Sequence, residues 1–207
     1  VEENDPFAIP VNISSDPRNR VQGSVEEDIA DPTTGSGWPS NLGLAATFNP
    51  DYAKLMGEVI SKEYRALGIG TALSPQIDLA TEPRWSRFSG TYGEDVQLAS
   101  DIAASIVAGM QSSWTEEGED LGWDKDSIIA MVKHFPGDGA GEAGREAHNN
   151  YGKYAVYPGD NMQDHVDVFA ATMDLGDKSK TEMAMAVMPS YSVAHNSLGN
   201  PIGEDVA

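Results

Sequence analysis

The chain has 207 residues, 40% of them hydrophobic and 22% charged, which is an ordinary balance for a globular domain with a real core. Its 33 acidic and 13 basic residues give a formal charge of −20, which argues against nucleic acid or an anionic membrane as partner, since both need clustered Lys and Arg. There is no Cys, so disulfides and thiolate metal sites are excluded, and no apolar run approaches the roughly 18 residues that span a bilayer. In chain order, residues 8–14 read as a first buried strand. Asn49 is placed to cap a helix that begins at Pro50. The inward face of that helix is expected to carry Tyr52, Leu55, Met56, Val59, Ile60, Tyr64 and Leu67, and Gly68 suits its C-terminal end. Residues 69–80 then read as a buried strand that opens into a loop. Ala99, Ile102, Ala103, Ile106, Val107 and Met110 form a second helical stripe.

A polar linker covers residues 116–126, and Ile128-Ile129-Ala130-Met131-Val132 is a strand buried on both faces. A third helix is expected over Met162–Met173 with Val166, Phe169, Ala170 and Met173 inward, and residues 183–188 read as a fourth buried strand. On this reading His165, beside Asp164 and Asp167, lies at the surface, and the Met residues near the fourth strand are core. Alternating strands and helices imply a parallel sheet with helical crossovers.

The polar residues follow the strands. The four strands end in Ser14-Ser15-Asp16-Pro17-Arg18, in Gln76-Ile77-Asp78 leading to Glu82-Pro83-Arg84-Trp85-Ser86-Arg87, in Lys133-His134-Phe135-Pro136-Gly137-Asp138-Gly139, and in Pro189-Ser190-Tyr191-Ser192. In a (β/α)₈ barrel the C-terminal strand ends form the active-site face. Converging Asp, Arg, Lys, His and Tyr suit a polyhydroxylated ligand, because carboxylates accept hydrogen bonds from hydroxyls and cations donate them. Trp38 and Trp85 are candidates to stack on a sugar face. A Lys after a buried strand needs a partner or a ligand. Arg84 and Arg87 could pair with Glu94 and Asp95; Arg87 is the better ligand candidate and Arg84 the better structural one. Asp16 before Pro17 could equally start a turn. Asp78 reads as a ligand to loop amides or to an Arg, and His195 could go either way. The four His and scattered carboxylates make no metal-ligand pattern, so no metal or other cofactor is expected.

Four segments resemble, in order, signatures of family 3 glycoside hydrolases. Residues 9–16 resemble the "IPxxxxxD" strand. Residues 81–95, Thr81-Glu82-Pro83-Arg84-Trp85-Ser86-Arg87 through Gly93-Glu94-Asp95, resemble "DPRWGR…(E/S)xxGED". Residues 133–139 resemble "KHFxGxG", and Val187-Met188-Pro189-Ser190-Tyr191 resembles "VMxSY". The resemblance implies that residues 1–207 are part of the N-terminal catalytic (β/α)₈ barrel domain, supplying roughly half of it: about four strands and three or more helices. It implies that Asp16, Arg87, Lys133 and His134 bind sugar hydroxyls and that Tyr191 lies near the reacting carbon. Adjacent strand residues face opposite ways, so an irregular backbone is expected near Lys133 to Phe135, and the resemblance implies a strained or cis peptide there.

Retaining glycosidases use two carboxyl groups about 5–5.5 Å apart. In the family the nucleophile is an Asp in a "(V/S)SDW" motif on a later strand, and no such motif occurs here. The nucleophile is therefore expected beyond residue 207, and the remainder of the same enzyme is an expected partner. The N-acetylhexosaminidase branch carries an Asp-x-His dyad on the loop where Glu146-Ala147-His148 stands, with two residues' difference in spacing and Glu for Asp. Glu146 could orient His148 as a general acid/base, or His148 could be a bland loop residue. The leading expectation is a retaining, exo-acting β-glucosidase that releases terminal β-D-glucosyl residues from glucosides or oligosaccharides, without nucleic-acid or membrane partners. The alternatives are a β-N-acetylhexosaminidase using Glu146 and His148, and a non-catalytic carbohydrate-binding protein. Val1-Glu2-Glu3-Asn4-Asp5 is acidic where a signal peptide begins basic, but a removed signal would look the same. A secreted or periplasmic location is expected over a cytoplasmic one.

Overall fold

The computed structural model describes residues 10–17, 19, 35–173 and 181–196. The strands are β1 (Ser14–Ser15), β2 (Thr71–Ala72), β3 (Ser113–Trp114), β4 (Asp120–Gly122), β5 (Ile129–Phe135), β6 (Tyr154–Val156), β7 (Ala186–Pro189) and β8 (Val193–His195). The α-helices are α1 (Asn41–Ala45), α2 (Pro50–Ala66), α3 (Val96–Gln111) and α4 (Met162–Met173). Strands β1, β2, β5 and β7 form one parallel sheet in that spatial order. Helices intervene between successive strands, as in the wall of a (β/α)₈ barrel, so the expected fold class holds.

Local signals place the helices as read. The Asn49 side chain accepts from the Asp51 N–H at 3.0 Å, Pro50 opens α2, and Gly68 follows it with φ +75. Asp95 caps α3 by accepting from the Leu98 N–H at 2.8 Å, and among the described residues no arginine pairs with it. Arg84 instead pairs with Glu82, through Nε at 2.8 Å and a terminal nitrogen at 2.6 Å.

The buried face of α2 differs from expectation. Ala53, Met56, Gly57, Ile60, Ser61 and Tyr64 are buried, whereas Tyr52, Leu55 and Leu67 are about half exposed. The cause is a close helix crossing. A Cβ on Gly57 would lie 2.5 Å from the Ile106 carbonyl oxygen, and one on Gly109 would lie 2.2 Å from that of Lys54. Backbone meets backbone there, so the contact selects small residues rather than the bulkiest apolar ones. The α3 stripe is buried throughout, as read.

Gln111, at the end of α3, is fully buried and joins three segments. Its Nε2 donates to the Thr181 and Met183 carbonyls at 2.9 and 2.7 Å, and its Oε1 accepts from the Ala130 and Met185 N–H groups at 3.2 and 3.0 Å. All four hydrogen-bonding positions of the amide are thereby filled. This holds residues 183–185 in an irregular approach, so the fourth strand starts at Ala186 and not at Met183. Met185 is exposed, and Met188 lines a cleft, so neither is simple core. The polar linker contains β4, which pairs antiparallel with β3 just before the linker, and β6 pairs in parallel with β8. Neither pair is visible as periodicity, because two- and three-residue strands are too short to show any. The first strand is described only from Ser14; residues 8–9 of that expectation lie outside the described residues.

Helix α4 has the expected bounds but is rotated by one residue. His165, Val168, Phe169 and Thr172 are buried, while Val166 is half-buried and Ala170 and Met173 are exposed. His165 is therefore not a surface residue. Its ring meets Tyr157 edge-on at 5.0 Å, its Nε2 lies 3.3 Å from Thr81 Oγ1, and Gly137 packs against it. Burial holds its pKa down to about 4, against the pull of the Asp78 and Asp164 carboxylates.

Two outcomes follow from this packing. Gly109→Ala gains up to about 1 kcal/mol of helix propensity but forces α2 and α3 apart. The net expectation is a loss of about 2 kcal/mol, read as a melting midpoint several degrees lower; an unchanged midpoint contradicts the close crossing. For His165, the unfolded imidazole takes up a proton below about 6.5 while the folded one resists until about 4. Stability is therefore full above about 6.5 and is lost as pH falls towards about 4, by about 2 kcal/mol between about pH 7.5 and about pH 5. His165→Leu should remove that part of the acid slope in denaturation measured across this range; an unaltered slope contradicts the burial of a neutral imidazole.

Candidate active site

The parallel strands deliver their polar ends to one cleft of about 850 Å³. Asp16 follows β1, Gln76 and Asp78 follow β2, Lys133 and His134 lie near the end of β5, and Ser190 and Tyr191 follow β7. Asp16, Arg87, Lys133, His134, Glu146, His148 and Tyr191 all line this cleft, whereas the candidates Trp38, Trp85 and His195 do not. Sequence spacing alone does not bring them together; strand ends at one rim of a parallel sheet do.

Lys133 is buried and its Nζ donates to Asp16 Oδ1. Burial lowers the Lys133 pKa, and the charge and hydrogen bond of Asp16 oppose that shift. The irregular backbone expected here is present. The Lys133–His134 peptide is cis, and the pairing of β5 with β7 shifts register between Lys133 and Phe135.

Asp78 organises the next layer. It is fully buried and accepts three hydrogen bonds: from the His134 N–H at 3.0 Å, from His134 Nδ1 at 2.9 Å and from the Asp138 N–H at 2.7 Å. Burial works to raise its pKa, but the bond to and charge on His134, with the two backbone donors, hold it below the usual carboxylate range. It is thus the ligand of loop amides that the sequence suggested, and it also fixes the His134 ring with Nδ1 turned inward. Asp138, missed as a site residue, lies beside it. Its Oδ1 accepts from the hydroxyls of Ser190 and Ser192, the latter at 3.2 Å, and its Oδ2 lies 3.6 Å from His134 Nδ1. Burial, then the neighbouring Asp78 charge, pushes its carboxyl up. The signal in the sequence was an acid between two glycines: a Cβ on Gly139 would lie 2.0 Å from the Leu79 carbonyl oxygen, so this loop presses onto the loop after β2 and carries Asp138 inward.

The ligand atoms of Asp78, His134 and Asp138 lie within 4.8 Å of one another, the one such group among the described residues. Both Asp78 oxygens already hold hydrogen bonds, to the His134 ring and to two loop amides.

At the outer side, Glu146 Oε1 meets His148 Nδ1 at 2.7 Å, and Glu146 Oε2 accepts from the Trp85 indole N–H at 3.0 Å. Burial would raise the Glu146 pKa, but the bond from His148, the charge of Arg87 and the indole bond together lower it. Trp85 is buried, so it supports Glu146 and offers no open face for stacking; Trp38 packs half-buried against the core. Arg87 donates to Gln76 Oε1 at 3.0 Å, a partner that sequence reading did not single out. The His148 and Tyr191 rings meet edge to face at 5.2 Å. His195 stacks on Tyr154 at 4.5 Å and does not line the cleft. The cleft thus offers carboxylate acceptors and cationic donors side by side, with a carboxylate–imidazole pair at its mouth.

Comparisons with known proteins agree with this architecture. The family model "Glycosyl hydrolase family 3 N terminal domain" matches residues 2–195. A periplasmic β-glucosidase/β-xylosidase from Dickeya chrysanthemi is 40% identical over 200 residues, covering 95% of this chain and 28% of that protein. β-Glucosidase C from Emericella nidulans is 41% identical over 186 residues, covering 90% of this chain and 28% of that protein. A crystal structure of a Listeria innocua β-glucosidase in complex with glucose has a TM-score of 0.70 at 25% identity, covering 93% of this chain and 23% of that one. The chain therefore spans little more than a quarter of the length of the curated relatives it matches. By this match the chain belongs to glycosyl hydrolase family 3, within its N-terminal, TIM-barrel-like domain.

Proposed function

We propose that this chain forms the sugar-binding part of a retaining, exo-acting β-glycosidase that removes terminal β-D-glucosyl residues, as part of a single barrel domain. The observation that carries this reading is the Lys133–Asp16 pair set beside Arg87 and His134 in one cleft at the strand ends. A buried ammonium and a partly exposed carboxylate, already paired, present a donor and an acceptor to adjacent hydroxyls with little reorganisation. His134 is held by Asp78 with Nε2 left for the ligand. Gln76 sets the direction of Arg87. Binding spread over several hydroxyls of the terminal sugar favours an exo mode.

In this reading the nucleophile is a carboxylate from another part of the protein, attacking the anomeric carbon next to Tyr191 as the glycosidic C–O bond breaks and the departing oxygen takes a proton from a general acid. Water then hydrolyses the glycosyl–enzyme intermediate with retention. The relatives named β-glucosidase and β-xylosidase support a glucoside or a xyloside as substrate. Two relatives named periplasmic support a secreted or periplasmic location. A second reading is favoured by one observation, the 2.7 Å contact of Glu146 with His148 at the mouth of the cleft. There His148 is the general acid/base of an N-acetylhexosaminidase-type mechanism.

Two experiments, on the protein as its gene encodes it, test these readings. Turnover of p-nitrophenyl β-glucoside is expected, and Lys133→Met should lower kcat/KM by on the order of 10²-fold, about 3 kcal/mol, through loss of charge-assisted hydrogen bonds. A variant as active as the unaltered protein would sink the sugar-gripping role. The second compares His148→Asn on p-nitrophenyl β-glucoside, whose leaving group needs little protonation, with a disaccharide, whose leaving group needs it. Equal losses leave the Glu146–His148 pair as a wall of the cleft. A further loss of about 10²–10⁴-fold confined to the disaccharide, with preference for the N-acetylglucosaminide, makes His148 the acid.

A further inference from the structure

We propose that Asp138 is a positioning residue that, through Ser190 and Ser192, holds Tyr191 against His148 and so shapes the outer wall of the cleft. Tyr191 is the exposed tip of the turn after β7, flanked by two serines. Both serine hydroxyls donate to the same oxygen, Asp138 Oδ1, and Ser190 Oγ also accepts from the Ser192 N–H at 2.9 Å. The turn is thus tied on both sides of Tyr191 to one buried acceptor. That acceptor is itself held: the Asp138 N–H is bonded to Asp78, and the flanking Gly139 is pressed onto Leu79 in the loop after β2. A second bond brings the start of the turn in, since the Ser190 N–H donates to the Phe135 carbonyl at 2.7 Å.

The consequence reaches the mouth of the cleft. Tyr191 packs edge to face on His148, and His148 is bonded to Glu146, so freeing the turn releases one wall of that pair. Asp138 lies behind this wall and does not line the cleft, so it acts only through other residues. Burial and Asp78 push the Asp138 carboxyl up. A neutral amide of the same shape still offers one oxygen to accept from both serines.

The functional consequence rests on the glycosidase reading above, whereas the geometry stands without it. Asp138→Leu, Tyr191→Ala and the double variant are compared on p-nitrophenyl β-glucoside in the protein as its gene encodes it. Asp138→Leu is expected to lower kcat/KM about as much as Tyr191→Ala, roughly 10–100-fold, and the double variant to be no worse than Tyr191→Ala alone. Asp138→Asn is expected to recover activity to within a few-fold. Losses that multiply in the double variant, or an Asp138→Leu variant as active as the parent, overturn the proposal. Should Asp138→Leu fail to fold, Ser190→Ala/Ser192→Ala deletes the same two bonds from the other side and takes its place in the cycle. A crystal structure of that serine variant needs no turnover. Tyr191 departing from His148 supports the proposal, and the 5.2 Å contact retained overturns it. If the parent protein turns over no glycoside at all, the functional reading fails, while the crystal structure still decides the positioning role.

Discussion

The site depends on the buried Asp78 carboxylate. It comes from the loop after β2, yet its hydrogen bonds go to the end of β5 and to the loop beyond: the His134 N–H, the His134 ring and the Asp138 N–H. Removing a charge from water costs several kcal/mol, and only full hydrogen bonding offsets that cost. Three donors do so here, and in doing so they fix where His134 and the Gly137–Asp138–Gly139 loop can sit. Asp138 in turn holds the turn after β7. One carboxylate therefore links three of the four parallel strands at the rim where the cleft opens. The fourth, β1, is tied in by Asp16 accepting from Lys133.

A rim held this way needs a scaffold that does not slide. Helices α2 and α3 meet through Gly57 and Gly109 with no side chain between the backbones, which leaves little freedom in their spacing. Gln111 then connects the end of α3 to β5 and to the approach to β7 with four hydrogen bonds. An amide with all its positions filled is costly to move, because each broken bond leaves a buried polar group unsatisfied at about 1–3 kcal/mol. Precision at the rim and rigidity behind it thus have separate physical causes.

Much of this was legible in the sequence. The helix cap at Asn49, the bounds of α4 and the placing of polar clusters after apolar runs all follow from local chemistry. Asp16, Arg87, Lys133, His134 and Tyr191 stood out as polar residues after apolar runs, whereas Glu146 and His148 stood out only through the family resemblance. What stayed hidden depends on neighbours far along the chain. The inward face of α2 was misjudged because Tyr52 and Leu55 outweigh Ala53 and Gly57 on any hydrophobic count, while the glycine at 109 decides the packing. His165 reads as a surface residue between two aspartates until Gly137 makes room for its ring. Asp138 and the two serines look like turn residues until the turn after β7 meets the loop after β5. Trp85 has the composition of a sugar platform, but its indole N–H is spent on Glu146.

The central claim is that the paired Lys133 and Asp16, with His134 and Arg87, form a sugar subsite. A crystal structure of the protein as its gene encodes it, soaked with glucose, tests this directly. The hydroxyls of one glucose are expected within hydrogen-bonding distance, about 3 Å, of Asp16, Lys133, His134 and Arg87. An ordered glucose elsewhere, with the Lys133–Asp16 pair untouched, would contradict it.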